Sequence, residues 1–337
     1  MAWLQVQADL GLAPRTLEAY GRGLADYLSV CAREGIDPLT AGRPQLARYV
    51  RDLTERPHAQ GAKVVALDSG TGLSNATLQQ RLVAVRLFYD HLIEEGRRET
   101  NPVGRGRYTA GKCFGEPRGR GLVRRFTRLA WIPTDAQWQA VLQAARGEPI
   151  RNRLMVALAY DAGLRREELC ALRTDDLDPA HRTVRVRAET TKTRLERVVP
   201  YSVVTGELLR AYLAHRRTLS RARGPLFLSE SRRNWAAPIT LWTWSKVVRA
   251  IALRADVPQF STHTLRHLCL TDLARSGLEL HTIARFAGHR NPATTLQYIH
   301  LSGRELAVAL HRSQGPGHAE RLATLTLLGG PPPGARA

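Results

Sequence analysis

Four short stretches of this sequence concentrate side chains that together could grip and attack a phosphodiester. They are GLRREEL at 163–169, TTKTRLERVVP at 190–200, STHTLRH at 261–267 and GHRNPATTLQYIH at 288–300. Arg165 follows a glycine at the start of a predicted helix, where backbone N–H groups and the helix dipole already favour an anion. Arg266 falls in the first turn of another predicted helix, after the cap candidates Ser261 and Thr262. Two guanidiniums on separate elements can each offer a planar fork to the non-bridging oxygens of one phosphate. Taken singly, either arginine reads as a surface charge, because the chain has 46 of them against four lysines. That skew singles out Lys192, since an ammonium can give up a proton where a guanidinium effectively cannot. Tyr298 is a candidate nucleophile whose phenol, with a reference pKa of about 10, needs nearby cations and a base. The alternative for Tyr298 is plain packing at the end of an apolar stretch.

Histidine is concentrated toward the end of the chain, and seven of the eleven lie at or beyond His263. His263 and His267 are four apart, but HTLRH lacks the glutamate of a zinc-protease helix, and an arginine beside a metal would oppose it. No metal site is therefore expected. His281 and His311 read as structural or exposed residues, and so would His263 and His289 if each stood alone.

These residues need elements to position them. From Pro14 to about Glu34, apolar residues recur at three- and four-residue intervals, and a second such run extends from about Arg43 to Leu53. A third follows the cap candidates Ser74 and Asn75, and Asn101-Pro102 closes a compact module of about four helices. Further helices are predicted over 134–145, 152–162, from Arg166 to about Leu172, and from Val203 onward. Residues 183–188 alternate, with Val184, Val186 and Ala188 on one face, and pair naturally with 194–200 as a β-hairpin. The expected class is mainly α, with a small antiparallel sheet in the second half of the chain.

The charge is segmental. Residues 1–103 hold 12 basic and 12 acidic side chains, and residues 104–128 hold eight against one. The rest carries a net +13 of the total +20. The Gly- and Arg-rich middle segment is read as an interdomain linker. Its cations Arg105, Arg107, Lys112, Arg118, Arg120, Arg124, Arg125 and Arg128 suit a strap along phosphates as well as a solvated connector. An excess of this size points to a polyanion, nucleic acid first, and away from an ordinary metabolic enzyme. No apolar run is long enough to span a membrane, and the start lacks the pattern of a signal peptide. Four scattered cysteines with no CxxC suggest the reducing cytoplasm.

Taken in order, Gly163-Leu164-Arg165 with Glu168-Leu169, Lys192, His263-x-x-Arg266, Gly288-His289 and Tyr298 resemble the tyrosine site-specific recombinases of the phage-integrase family. The resemblance covers roughly 130–312, and the helical segment 10–103 resembles the family's core-binding domain. It implies a two-domain DNA clamp: core-binding domain 1–103, linker 104–128, catalytic domain 129–314 and tail 315–337. It implies that Arg165 and Arg266 clamp the scissile phosphate, that His289 hydrogen-bonds it, and that Lys192 protonates the leaving 5′-oxygen. His263 would assist proton transfer at Tyr298, which would form a 3′-phosphotyrosyl intermediate. Glu168 and Asp176 would hold Arg165 and its helix in place. No cofactor is implied, and the expected partners are double-stranded DNA and further copies of the chain, four on paired sites. The tail, with Leu322, Leu325, Leu327 and Leu328, is a candidate subunit-exchange segment, with a frayed end as its alternative. The chain begins almost at the core-binding segment, so no extra arm-binding domain is expected. The turn 193–195 lacks the glycine often found there in the family. A type IB topoisomerase-like enzyme and a catalytically silent DNA-binding protein on the same fold are the competing readings.

Overall fold

The structure is a computed structural model that describes residues 2–56, 73–103, 122–123, 131–191, 193–291 and 293–296. The chain divides into two compact units, Met1–Arg128 and Leu129–Ala337.

The first unit is all α: α1 (Ala2–Asp9), α2 (Pro14–Arg33), α3 (Arg43–Glu55) and α4 (Asn75–Glu94). Proline in the first turn opens both α2 and α3, where a missing N–H costs nothing. Ser74 caps α4 by accepting from the Thr77 backbone N–H. The core packs Tyr27, edge-on to both Tyr49 and Tyr89, with Leu46, Leu53 and Val85, all buried. Helix α2 lies close on α4 at Gly23, where an added Cβ would sit 3.3 Å from that of Ala84. Asp26 binds the three longer helices together by accepting from Tyr49 of α3 at 2.9 Å, from Arg81 of α4, and from Arg56 just beyond α3. Helix α1 supplies the fourth helix of the module. Its Trp3 is buried in that core, stacked on Tyr20 and edge-on to Phe88.

Within the segment read as a linker, Leu122 and Val123 pack on this same core, and Gln79 donates to the Val123 carbonyl at 2.7 Å. That pair is therefore part of the first unit's packing and not solvated connector. Apolar contact overrides the Gly- and Arg-rich composition around it.

The second unit contains α5 (Asp135–Arg146), α6 (Ile150–Asp161), α7 (Arg166–Cys170), α8 (Val203–Leu219), α9 (Leu241–Arg254), α10 (Thr262–Arg275), α11 (Leu280–Ala287) and α12 (Ala293–Leu296). Thr134 and Gln137 form a reciprocal capping box at the start of α5. Helix α6 is its central element, buried at Leu154, Met155, Leu158 and Ala159. It starts at Ile150, two residues ahead of the sequence expectation, because Pro149 pre-sets the helix entry.

The sheet has three antiparallel strands in the order β1 (Leu177–Asp178), β2 (Thr183–Val186), β3 (Arg197–Pro200). Val184 faces Val199 across the ladder, and both are fully buried. The hairpin is shorter than the sequence pattern suggests. Ala188 belongs to a 3₁₀ turn over Ala188–Thr190, and a two-residue strand, too short to show a period, adds β1. Among the described residues no helix is long and apolar enough to cross a membrane.

Leu154 makes no contact with solvent, so Leu154→Ala leaves a cavity in the second unit and is expected to cost about 2–5 kcal/mol. Val198, 60% exposed on β3, serves as the control, with Val198→Ala expected within about 0.5 kcal/mol of wild type. Equilibrium urea unfolding followed by circular dichroism compares the two.

Candidate active site

The site begins with two helix ends. Helix α6 finishes at Gly163, whose φ of +56° is left-handed backbone, and a Cβ there would come within 2.9 Å of the Phe286 ring. Helix α11 finishes at Gly288, also left-handed with φ +64°, where a Cβ would lie 2.9 Å from Arg197 Nη1. Only glycine fits either turn without displacing a neighbour. Both turns leave terminal carbonyls pointing away from their helices, and such carbonyls need donors.

Arginines supply them. Arg266, 3% exposed on α10, donates from Nη1 to the Gly163 carbonyl at 2.6 Å and from Nη2 to the Ala287 carbonyl. The negative ends of two helix dipoles thus stabilise one buried cation. Arg266 is the fifth residue of α10, just past the first turn in which the sequence placed it. Ser261 is the cap, its backbone N–H bonded to the Thr264 hydroxyl at 3.1 Å. Arg165 is the N-cap of α7 and reaches the Gly288 carbonyl from Nη2 at 3.4 Å. The two guanidiniums therefore come from different helices and meet at one turn, that of Ala287-Gly288.

Glu168 fixes this arrangement from below. Its carboxylate is 1% exposed and accepts from the Arg165 backbone N–H at 2.9 Å and from Arg165 Nη1 at 2.8 Å. It also takes a two-pronged bond from Arg197 of β3, at 3.0 and 2.7 Å. Burial alone would raise its pKa, but Arg197 and Arg165 outweigh that and hold the carboxyl at about 2. Arg197 Nε continues to the Phe286 carbonyl at 2.9 Å, so one side chain joins β3, α7 and the end of α11. Nothing in the sequence distinguished Arg197 from the other arginines, since burial and partners are not visible in spacing.

Asp176 lies one step further out. It accepts from the Arg173 backbone N–H at 2.8 Å and from Arg187 Nε at 3.1 Å, and Arg187 in turn holds the Ala171 carbonyl at the end of α7. It supports the helix of Arg165 and does not touch Arg165 through any of these bonds.

The two histidines sit in positive surroundings. His289 Nε2 meets Arg266 Nη2 at 3.1 Å, and its Nδ1 lies 2.8 Å from the buried Thr295 hydroxyl on α12. Desolvation, then Arg266, Arg165 and Arg197, push its pKa down to about 4 against the pull of Glu168. His263, in the first turn of α10, has a lowered pKa for the same reasons: loss of water around the ring, then Arg166, Arg266 and Arg165. Glu167 opposes that shift and is itself held by Arg166, which also donates to the Ser245 hydroxyl at 3.2 Å. Both histidines are thus biased toward the neutral form.

Lys192 and Tyr298 lie outside the described residues, as do Arg105, Arg107, Lys112, Arg118, Arg120, Arg124, Arg125 and Arg128. The turn around Lys192 is visible at its flanks. Arg194 occupies the left-handed region at φ +52°, where a glycine would be unstrained. The Thr191 hydroxyl stabilises that turn by accepting from the Leu195 backbone N–H at 3.1 Å, and Thr193 reaches the Gly288 carbonyl at 3.4 Å. Among the described residues no group of three His, Cys, Asp or Glu side chains is placed to hold a metal ion.

Two predictions follow from the charges. Glu168→Gln leaves Arg165 and Arg197 without their buried counter-charge and is expected to lower stability by about 3–5 kcal/mol in denaturant titration. A loss below about 1 kcal/mol would contradict the role given to this carboxylate. His289 has a folded pKa below its unfolded one, so its contribution to stability is complete above about 6.5 and is lost as pH falls toward 4. The melting temperature of His289→Gln should therefore depend less on pH between 6.5 and 4 than that of the wild type.

The model of the phage integrase family matches residues 133–305. The tyrosine recombinase XerC of Azotobacter vinelandii is 32% identical over 301 residues, covering 88% of each chain. XerD of Caulobacter vibrioides is 31% identical over 320 residues, covering 91% of this chain and 92% of its own. A lambda integrase dimer bound to a COC′ core site superposes with a TM-score of 0.65 at 19% identity, over 90% of this chain and 95% of that one. The Tn1549 transposon integrase in complex with transposon right end DNA gives 0.66 at 16% identity, over 92% and 97%. The two structures share the fold, and the family model and the two relatives extend the likeness to the sequence across most of the chain. This chain belongs to the phage integrase family, the tyrosine site-specific recombinases.

Proposed function

We infer that the cluster of Arg165, Arg266 and His289 binds the scissile phosphate of duplex DNA in a strand-exchange reaction. The observation that carries this reading is the convergence of Arg165 and Arg266, from separate helices, on the turn at Ala287-Gly288. Preset donors of this kind stabilise the charge that develops on the non-bridging oxygens, with no reorganisation during the reaction. In the reaction, Tyr298 Oη attacks phosphorus and its proton passes to neutral His263. The bond to the 5′-oxygen breaks, and Lys192 protonates that oxygen as it leaves. The product is a 3′-phosphotyrosyl ester and a free 5′-hydroxyl. Attack by a 5′-hydroxyl on the ester reverses these steps and rejoins a strand. Because the ester bond is conserved at each stage, no nucleotide hydrolysis is required.

The remaining assignments rest on the resemblance and on charge. The helical segment 1–103 contacts DNA through a one-sided distribution of its balanced charges, and the cations of 104–128 lie along the backbone. Four copies act on paired sites, with the tail 315–337 exchanged between neighbours as a closed, head-to-tail ring. The compartment is the cytoplasm, where DNA is accessible.

A nicked duplex tests the chemistry, made from a sequence that this protein enriches from a random library. In EDTA the wild type should give a covalent protein–DNA adduct, and Tyr298→Phe should bind the duplex and give none. An adduct from Tyr298→Phe overturns the nucleophile assignment. Lys192→Ala should slow cleavage by roughly 100-fold or more, and sulfur in place of the 5′-bridging oxygen should restore it. An unchanged rate on the ordinary oxygen ester rejects Lys192 as the acid.

A further inference from the structure

A guanidinium only donates hydrogen bonds. The contact between Arg266 Nη2 and His289 Nε2 therefore makes Nε2 an acceptor, and a neutral ring must carry its proton on Nδ1. That proton points at the Thr295 hydroxyl oxygen, 2.8 Å away. Thr295 is fully buried on α12, three residues before Tyr298. In this tautomer the nitrogen that faces Arg266 has no proton to offer a phosphate oxygen. Adding a second proton to the ring is opposed by Arg266 of α10, Arg165 at the start of α7 and Arg197 of β3, with Glu168 of α7 in favour.

We propose that Thr295 is a positioning residue that lets His289 exchange tautomers when DNA binds. In the DNA-free protein the Thr295 hydroxyl accepts from Nδ1–H. When phosphate oxygens engage Arg266, the Nδ1 proton passes to water, and water returns one to Nε2. The charge of the ring is unchanged. The hydroxyl then rotates and donates to the bare Nδ1, leaving Nε2–H directed at the phosphate. A hydroxyl serves both states without moving its oxygen, because it is donor and acceptor at once. A valine of the same shape serves neither state. The same hydrogen bond ties the segment leading to Tyr298 to the phosphate-facing ring, so orientation of the histidine and placement of that segment are set together.

This inference rests on the phosphate-binding reading of the cluster, and its test separates the two. Nitrogen-15 NMR of the full-length Tyr298→Phe protein, labelled at histidine, reports the His289 tautomer directly. The Nδ1–H form is expected without DNA and the Nε2–H form with the enriched duplex. An Nε2–H form in the free protein, or an Nδ1–H form retained on DNA, overturns the proposal. In the adduct assay, Thr295→Val should be slowed about tenfold at unchanged DNA affinity, the effect of one lost buried hydrogen bond. Thr295→Ser, which keeps the hydroxyl, should remain within about threefold of wild type. Equal rates for Thr295→Val and wild type, or equal losses in the valine and serine variants, also overturn it. Failure of the wild type to form any adduct would instead remove the phosphate-binding reading, and the tautomer of the free protein would still be measured.

Discussion

Glu168 is almost completely buried and still ionised, and both conditions hold only because Arg165 and Arg197 close on it from different elements. Removing a carboxylate from water costs several kcal/mol, and the cost is offset only by short, well-directed partners. The geometry is therefore all-or-none. Arg165 must cap α7, Arg197 must face inward from β3, and the end of α11 must lie where Arg197 meets the Phe286 carbonyl. The two glycines follow from the same requirement, since Gly288 clears the guanidinium of Arg197 and Gly163 clears Phe286. The bonds that stabilise this region are the same ones that fix the guanidiniums proposed to bind phosphate.

The charge left over after that pairing explains the chemistry. The site holds three guanidiniums, those of Arg165, Arg197 and Arg266, against the one carboxylate of Glu168, so it remains positive and disfavours a second proton on His289. A neutral His263 can take a proton from a phenol, and a neutral His289 can present one N–H to phosphate without adding charge. The protein thereby holds two imidazoles toward their neutral form within a strongly cationic region, as the proposed chemistry requires.

The parts that were legible in the sequence are those governed by local rules. The periods of α2, α3 and α4, the Ser74 cap and the alternation of Val184 and Val186 each depend on neighbours a few residues away. The motif residues could be ordered and compared with a family because their spacing is linear information. Arg197 and Thr295 escaped notice because their meaning is a partner: Glu168 lies 29 residues from Arg197, and Thr295 matters only through the ring nitrogen of His289. The packing of Leu122 and Val123 on the first unit was hidden for a related reason, since two apolar residues in a basic segment have no period to read.

Residue type, order and charge along the chain were thus enough to indicate a mainly helical DNA-directed protein and the groups able to carry out its chemistry. What only the tertiary structure decided is which of the described arginines are paired, buried or directed at a common point. Hydrogen-bond direction and desolvation depend on atoms brought together from α6, α7, β3, α10 and α11, and no property of the separate segments contains that information.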